Sequence, residues 1–218
     1  MNSVLLIIIV ITCITSYIGF QKPELFHKYK FEVDSIKRRK EYFRLLSAGF
    51  LHADFLHLFL NMYVLYAFGP LIIEVFGVLG FLGMYIGSIL LGNLFCLYVY
   101  KNVPFYSAIG ASGGVSGLIF AVMAVEPFIP LGIIFLPFRI DGYIFGTLYF
   151  VYSVYMMLNP RANDNIGHAA HLGGAFFGLV YAVIVFPQLA VQNALYIGIM
   201  SVPLIYLAYE IFIKKRIG

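Results

Sequence analysis

"AIGASGGVSGLIFAV", residues 108–122, sets Ser112 among glycines and alanines in a stretch without a single charge. Two physical readings compete for it. Small residues let helix backbones approach closely inside a membrane, so Gly-Ala-Ser-Gly can be packing alone. A serine hydroxyl at the start of a helix can also serve as a nucleophile once a base takes its proton. The residues on either side of this stretch decide between them.

Of the 218 residues, 62% are hydrophobic and only 11% charged, where soluble domains carry roughly 25% charge. This composition describes an integral membrane protein and argues against a nucleic-acid binder. Seven apolar stretches approach the roughly 20 residues needed to cross a bilayer: about 3–20, 54–76, 79–100, 108–126, 141–158, 168–187 and 190–213. The last contains Gln192, Asn193, Pro203 and Glu210, yet it is too apolar to lie in water. The first lacks the basic region and cleavage site of a signal peptide and is read as a span. Neither repeats nor linkers divide the chain, so the expectation is one all-α, polytopic helical bundle over residues 1–218. Cys13 and Cys96 fall in different spans without metal-ligand spacing, and they suggest no disulfide framework.

Seven spans put the polar segment 21–54 on the same side as residues 101, 161 and 214–216. That side holds Lys22, Lys28, Lys30, Lys37, Arg38, Arg39, Lys40, Arg44, Lys101, Arg161, Lys214, Lys215 and Arg216, and the other holds only Arg139. By charge alone the crowded side is cytoplasmic.

Ionisable residues in membrane spans are costly and point to function. Three groups gather at the crowded side. "HADFLHLFLN" opens the second span with His52, His57 and Asn61, of which His57 and Asn61 share a helical face. Ser112 opens the fourth span, and "GHAAHLGG" opens the sixth with His168 and His171, three apart. A histidine within hydrogen-bond reach can activate a serine, which makes Ser112 and His171 a candidate catalytic dyad. Acyl transfer also needs donors aimed at the developing oxyanion, and Asn61, His57 and the Ser112 backbone N–H could supply them. Gly110 and Gly113 permit a sharp turn beside the serine. His52 and His168 are candidates for structural hydrogen bonding or for lining the cavity.

The run "GASGGVSG", with "HADFLHLFLN" before it and "HAAHLGGAFFG" after it, resembles the rhomboid intramembrane serine proteases. Their G-x-S-G, H-x-x-x-N and H-x-x-G-x-x-x-G patterns correspond here to Gly110, Ser112 and Gly113, to His57 and Asn61, and to His171, Gly174 and Gly178. The resemblance covers about residues 40–187. It implies a six-helix core and a short fourth helix that starts inside the membrane; the apolar stretch at about 190–213 adds a seventh C-terminal span, an arrangement seen in part of the family. Ser112 would be the nucleophile, His171 the base, and His57, Asn61 and Ser112 the oxyanion hole. Gly110, Gly113, Gly117, Gly174 and Gly178 would be structural, the last two letting the sixth helix pack on the fourth.

The resemblance further implies no metal and no other cofactor. The partners would be transmembrane protein substrates and the lipid bilayer, and the location the cell (inner) membrane with the active site facing away from the cytoplasm. That orientation runs against the charge asymmetry.

Two departures from the family pattern stand out. Phe43-Arg44 occupies the place of a Trp-Arg pair in the first loop, with Arg44 as a supporting residue. Ser116 stands four after the serine, where an aromatic usually packs on the catalytic histidine. Two other classes remain open on the residues: an inactive rhomboid-like protein that binds membrane helices, and a metal or ion protein built on His52, His57, His168 and His171.

Overall fold

The computed structural model describes residues 2–132, 139–161 and 166–217. Helix α1 (Ser3–Gln21) leads into three short helices, α2 (Pro23–Tyr29), α3 (Val33–Lys37) and α4 (Arg44–Ser47). Then follow α5 (Phe55–Val99), α6 (Ser112–Val125), α7 (Gly142–Leu158), α8 (His168–Val185), α9 (Pro187–Gln192) and α10 (Ala194–Ala208). The last continues as a π turn over Tyr209–Ile213. The protein is an all-α polytopic membrane bundle.

The second and third spans are one continuous element interrupted at a single residue. Gly77, at φ 72° and ψ 171°, breaks α5 into two arms, residues 55–76 and 78–99. A Cβ at Gly77 would meet nothing within 4 Å, so the demand for glycine there is one of backbone conformation, not of space. The seventh span is shorter than its sequence suggested. Pro187 starts the separate α9, and only Ala194–Ile213 forms the long apolar helix.

Helix α6 is central, with every residue buried except Ser112, Ile119 and Val125. Its 14 residues span only about 21 Å, short of the roughly 30 Å of hydrocarbon, so the sequence estimate of a span from 108 gives way to a helix that starts at Ser112. Residues 100–111 make up the missing length. Irregular backbone at that depth survives only where protein satisfies it. The Gly110 N–H donates to the Ala48 carbonyl at 3.0 Å, and the Val33 N–H to the Tyr106 carbonyl at 3.1 Å. Strand β1 (Phe31–Glu32) pairs antiparallel with β2 (Ser107–Ala108). The polar segment 21–54 is therefore a folded cap. A second ribbon joins β3 (Pro130–Gly132) to β4 (Arg139–Asp141) at the other end of the bundle.

Glycines bring α6 against α8 backbone to backbone. A Cβ on Gly174 would land on the Gly113 carbonyl, and one on Gly178 on the Gly117 carbonyl. At the far end of α6, Asn193 Nδ2 donates to the Ala124 and Val125 carbonyls at 3.1 and 2.8 Å, satisfying acceptors that a helix terminus leaves open. The C-terminal tail closes the other end: Arg216 Nη2 donates to the Leu158 carbonyl, and Lys214 pairs with the buried Glu210 at 3.1 Å.

This packing separates two glycine substitutions that sequence alone would treat alike. Gly178→Ala is expected to lower thermal stability in detergent, by about 1–3 kcal/mol for overpacking, because the Gly117 backbone cannot yield without parting the helices. Gly198→Ala in α10, where an added Cβ meets nothing within 4 Å, is expected to raise stability by up to about 1 kcal/mol through helix propensity. Melting curves of the two variants that shift the same way would contradict this account of the packing.

Candidate active site

Ser112 is the first residue of α6, and the preceding Ala111 offers no side-chain cap. The first bond of the helix runs from the Val115 N–H to the Ala111 carbonyl. The positive end of the helix dipole therefore lies at Ser112. Gly110 delivers the chain to this point at φ +122°, a conformation that side-chain-bearing residues rarely adopt.

His171 lies in the first turn of α8, directly across the glycine contact from Ser112. Its Nε2 is 2.5 Å from Ser112 Oγ. Because Gly113 and Gly174 meet one helix position beyond Ser112 and three beyond His171, the closeness of the backbones sets that distance.

His57 comes from the first turn of α5, which Asp54 caps by accepting the His57 N–H at 2.8 Å. A Cβ built on Gly110 would lie 2.9 Å from His57 Nε2 and 3.6 Å from Ser112 Oγ, so ring and hydroxyl flank the same small volume. His57 Nδ1 faces the Ala53 N–H at 3.5 Å, which leaves Nε2 to carry the ring proton toward that volume. Asn61 is buried one turn further along. One of its amide N–H groups donates to the His57 carbonyl at 3.0 Å, so in this structure it braces its own helix.

His52, in the loop before α5, is fully buried. Ser16 donates its hydroxyl to the Phe50 carbonyl at 3.0 Å and so accepts from His52 Nδ1 at 2.9 Å. That leaves His52 Nε2 free of a proton, and it accepts the Ala111 N–H at 3.4 Å. The ring thus links α1 to the residue before Ser112 as a neutral imidazole. Burial pushes its pKa down to about 3; the His57 ring adds to the shift and Asp54 opposes it.

His168 is buried at the start of α8, edge-on to Tyr152 at 5.4 Å and to His171 at 6.4 Å. Arg44 makes its bonds within the cap. It staples the cap, donating to the His27 and Lys30 carbonyls at 2.8 Å each and pairing with Glu41 at 2.6 Å. Among the described residues, no group of three or more His, Cys, Asp or Glu side chains is placed to hold a metal ion.

Two residues absent from the sequence reading join the site. Ser16 holds His52. Tyr149 of α7 stacks on His171 and bonds Ser116, with 3.0 Å between the two hydroxyl oxygens. Ser16 is one of three serine and threonine residues in the second half of its span, with Thr12 and Thr15, so its sequence signal did not single it out. Tyr149 was not singled out either, because α7 is aromatic along most of its length.

The Rhomboid domain family model matches residues 39–188. The chain belongs to the rhomboid family. Over 141 residues it is 33% identical to the Presenilin-associated rhomboid-like protein, mitochondrial, of Homo sapiens, covering 63% of this chain and 36% of that protein. Rhomboid protein 1, mitochondrial, of Saccharomyces cerevisiae is 29% identical over the same length, with 63% and 40% covered. RHOMBOID-like protein 12, mitochondrial, of Arabidopsis thaliana is 27% identical over 168 residues, with 72% and 50% covered. The matched part of this rhomboid spans between about a third and a half of these relatives' lengths.

The His52 link gives this rhomboid a pH dependence. The unfolded imidazole takes a proton near pH 6.5, whereas the folded one stays neutral to about 3, so the His52 contribution to stability is full above pH 6.5 and is lost as the pH drops. The slope is about 1.4 kcal/mol per pH unit, or roughly 3 kcal/mol between pH 6.5 and 4.5. Thermal unfolding in detergent should show that fall in the wild type and a shallower one in His52→Gln. Equal slopes would mean that His52 is not the group held neutral.

Proposed function

We propose that this rhomboid is an intramembrane serine endopeptidase that cleaves transmembrane segments of other membrane proteins. The observation that carries this reading is the 2.5 Å approach of His171 Nε2 to Ser112 Oγ, at the start of a helix too short to reach the membrane surface.

The chemistry is acyl transfer. His171 Nε2 accepts the Ser112 proton as Oγ attacks the scissile carbonyl carbon. The carbonyl oxygen becomes an oxyanion beside Gly110, within reach of the Ser112 N–H and His57 Nε2–H, and the second N–H of the Asn61 amide turns to it when substrate is bound. The tetrahedral intermediate collapses as His171 gives its proton to the leaving amine. Water, deprotonated by His171, then attacks the acyl-serine ester, and His171 passes that proton to Oγ as the acid product leaves.

A helical substrate has its peptide groups bonded along its own axis, so cleavage requires it to unwind locally. Segments with weak helix propensity are the favoured substrates. The irregular 100–111 backbone leads from the surface down to Ser112 and gives water its route to the same depth.

We further propose that the protein resides in the cell (inner) membrane and that the end bearing Ser112 faces away from the cytoplasm, following the family and not the charge asymmetry. The relatives described above are mitochondrial by name, and membrane fractionation distinguishes the two locations.

Two experiments test these proposals. In liposomes with a transmembrane reporter, Ser112→Ala and His171→Ala should each abolish cleavage, and the double variant should be no worse than either. Labelling by a fluorophosphonate should vanish in Ser112→Ala, and Asn61→Ala should lower kcat by about 10²–10³-fold with a smaller change in KM. Cleavage that survives Ser112→Ala would overturn the assignment. For orientation, Arg39→Cys and Lys215→Cys, both at exposed positions and made in a chain lacking Cys13 and Cys96, should react with a membrane-impermeant maleimide in intact cells. Protection of both until lysis would mean that the site faces the cytoplasm.

A further inference from the structure

Ser116 sits one helical turn beyond Ser112 on α6, and so shares a face with it. It bonds a residue that stacks on His171. Tyr149 of α7 lays its ring nearly parallel to the His171 imidazole, with centroids 6.4 Å apart and planes 22° apart. Its hydroxyl lies 3.0 Å from Ser116 Oγ.

Phe120 and Phe145 hold the other sides of the Tyr149 ring, at 5.6 and 6.1 Å. Along α7 the next tyrosine on that face, Tyr152, meets His168 at 5.4 Å. Two tyrosines three apart on α7 therefore face two histidines three apart on α8, in antiparallel register.

The geometry points to Tyr149 as the positioning residue for His171, with Ser116 fixing the ring from the helix that bears the nucleophile. The inference rests on the protease reading for its kinetic consequence. An imidazole at the start of α8 can turn about its side-chain bonds, and only one orientation aims Nε2 at Ser112 Oγ. A stacked ring restricts that rotation. The orientation matters most when Nε2 takes the serine proton, a step of the transition state and not of substrate binding. Loss of the ring should therefore lower kcat more than it changes KM.

Two measurements on the full-length protein in detergent or liposomes test this. In steady-state cleavage of a transmembrane reporter, Tyr149→Leu should lower kcat about ten- to a hundredfold, with KM within about twofold. Tyr149→Phe keeps the ring and should retain most of kcat, losing about two- to tenfold. Ser116→Ala should lose a similar few-fold. Combined with Tyr149→Phe it should cost nothing more, because both changes remove the same hydrogen bond.

The second measurement needs no activity. In protein labelled at histidine, the His171 ring proton between the two nitrogens should resonate upfield from stacking, keep that shift in Tyr149→Phe and lose it in Tyr149→Leu. A Tyr149→Leu variant with wild-type kcat, or a His171 resonance unmoved by either change, overturns the positioning role. A wild-type protein that neither cleaves nor labels at Ser112, yet shows the Tyr149-dependent shift, overturns the protease reading and leaves the Tyr149 contact standing.

Discussion

The contact between α6 and α8 is the constraint on which the rest of the structure depends. Inside a bilayer no hydrophobic effect drives helices together, so close association depends on van der Waals contact between backbones that side chains do not hold apart. Here the Gly113 and Gly117 carbonyls occupy the space that Cβ atoms of Gly174 and Gly178 would need. Two helices held this closely have little freedom to slide or rotate. Ser112 and His171, each at the start of its helix, inherit that precision, and their separation is set by backbone, the least adjustable part of the protein.

The helix that carries Ser112 is buried along most of its length, so the polar groups at its ends must be satisfied by protein, and the remaining elements serve that need. Asn93 of α5 donates to the Leu45 carbonyl at 2.8 Å, tying the cap to the second arm of α5. Asn193 closes the far end of α6, and His52 takes the Ala111 N–H just before its start. Arg44 gathers the His27 and Lys30 carbonyls within the cap. His52 and Asn193 thus hold the two ends of the helix that carries Ser112, while Asn93 and Arg44 hold the cap.

Much of this was legible in the sequence, for identifiable reasons. Hydropathy located the spans because each must cover the same thickness of hydrocarbon, and the gap left between residues 76 and 79 coincided with the break at Gly77. Ser112 and His171 stood out because a serine and a pair of histidines in apolar runs are expensive. The inner construction of segment 21–54 was hidden, since β1 exists only through its pairing with residues 107–108, far along the chain. Tyr149 was hidden because Tyr143, Phe145, Tyr149, Phe150, Tyr152 and Tyr155 crowd one helix, and only the rotation of α7 against α8 selects the one that meets His171. The absence of an aromatic at Ser116 was visible. Its replacement from another helix was not.

The separation of 59 positions between Ser112 and His171 has a consequence in time. A ribosome adding about 5–20 residues per second needs roughly 3–12 s to make that interval. Throughout it the serine is already synthesised while the histidine does not yet exist. On the protease reading, a hydroxyl without its base is an ordinary alcohol, so the growing chain would pass through the insertion machinery, among the unfolded spans of other nascent proteins, chemically inert. The pair is assembled only when the sixth crossing docks against the fourth, so on the protease reading synthesis itself delays the onset of reactivity until nearly the whole bundle is in place.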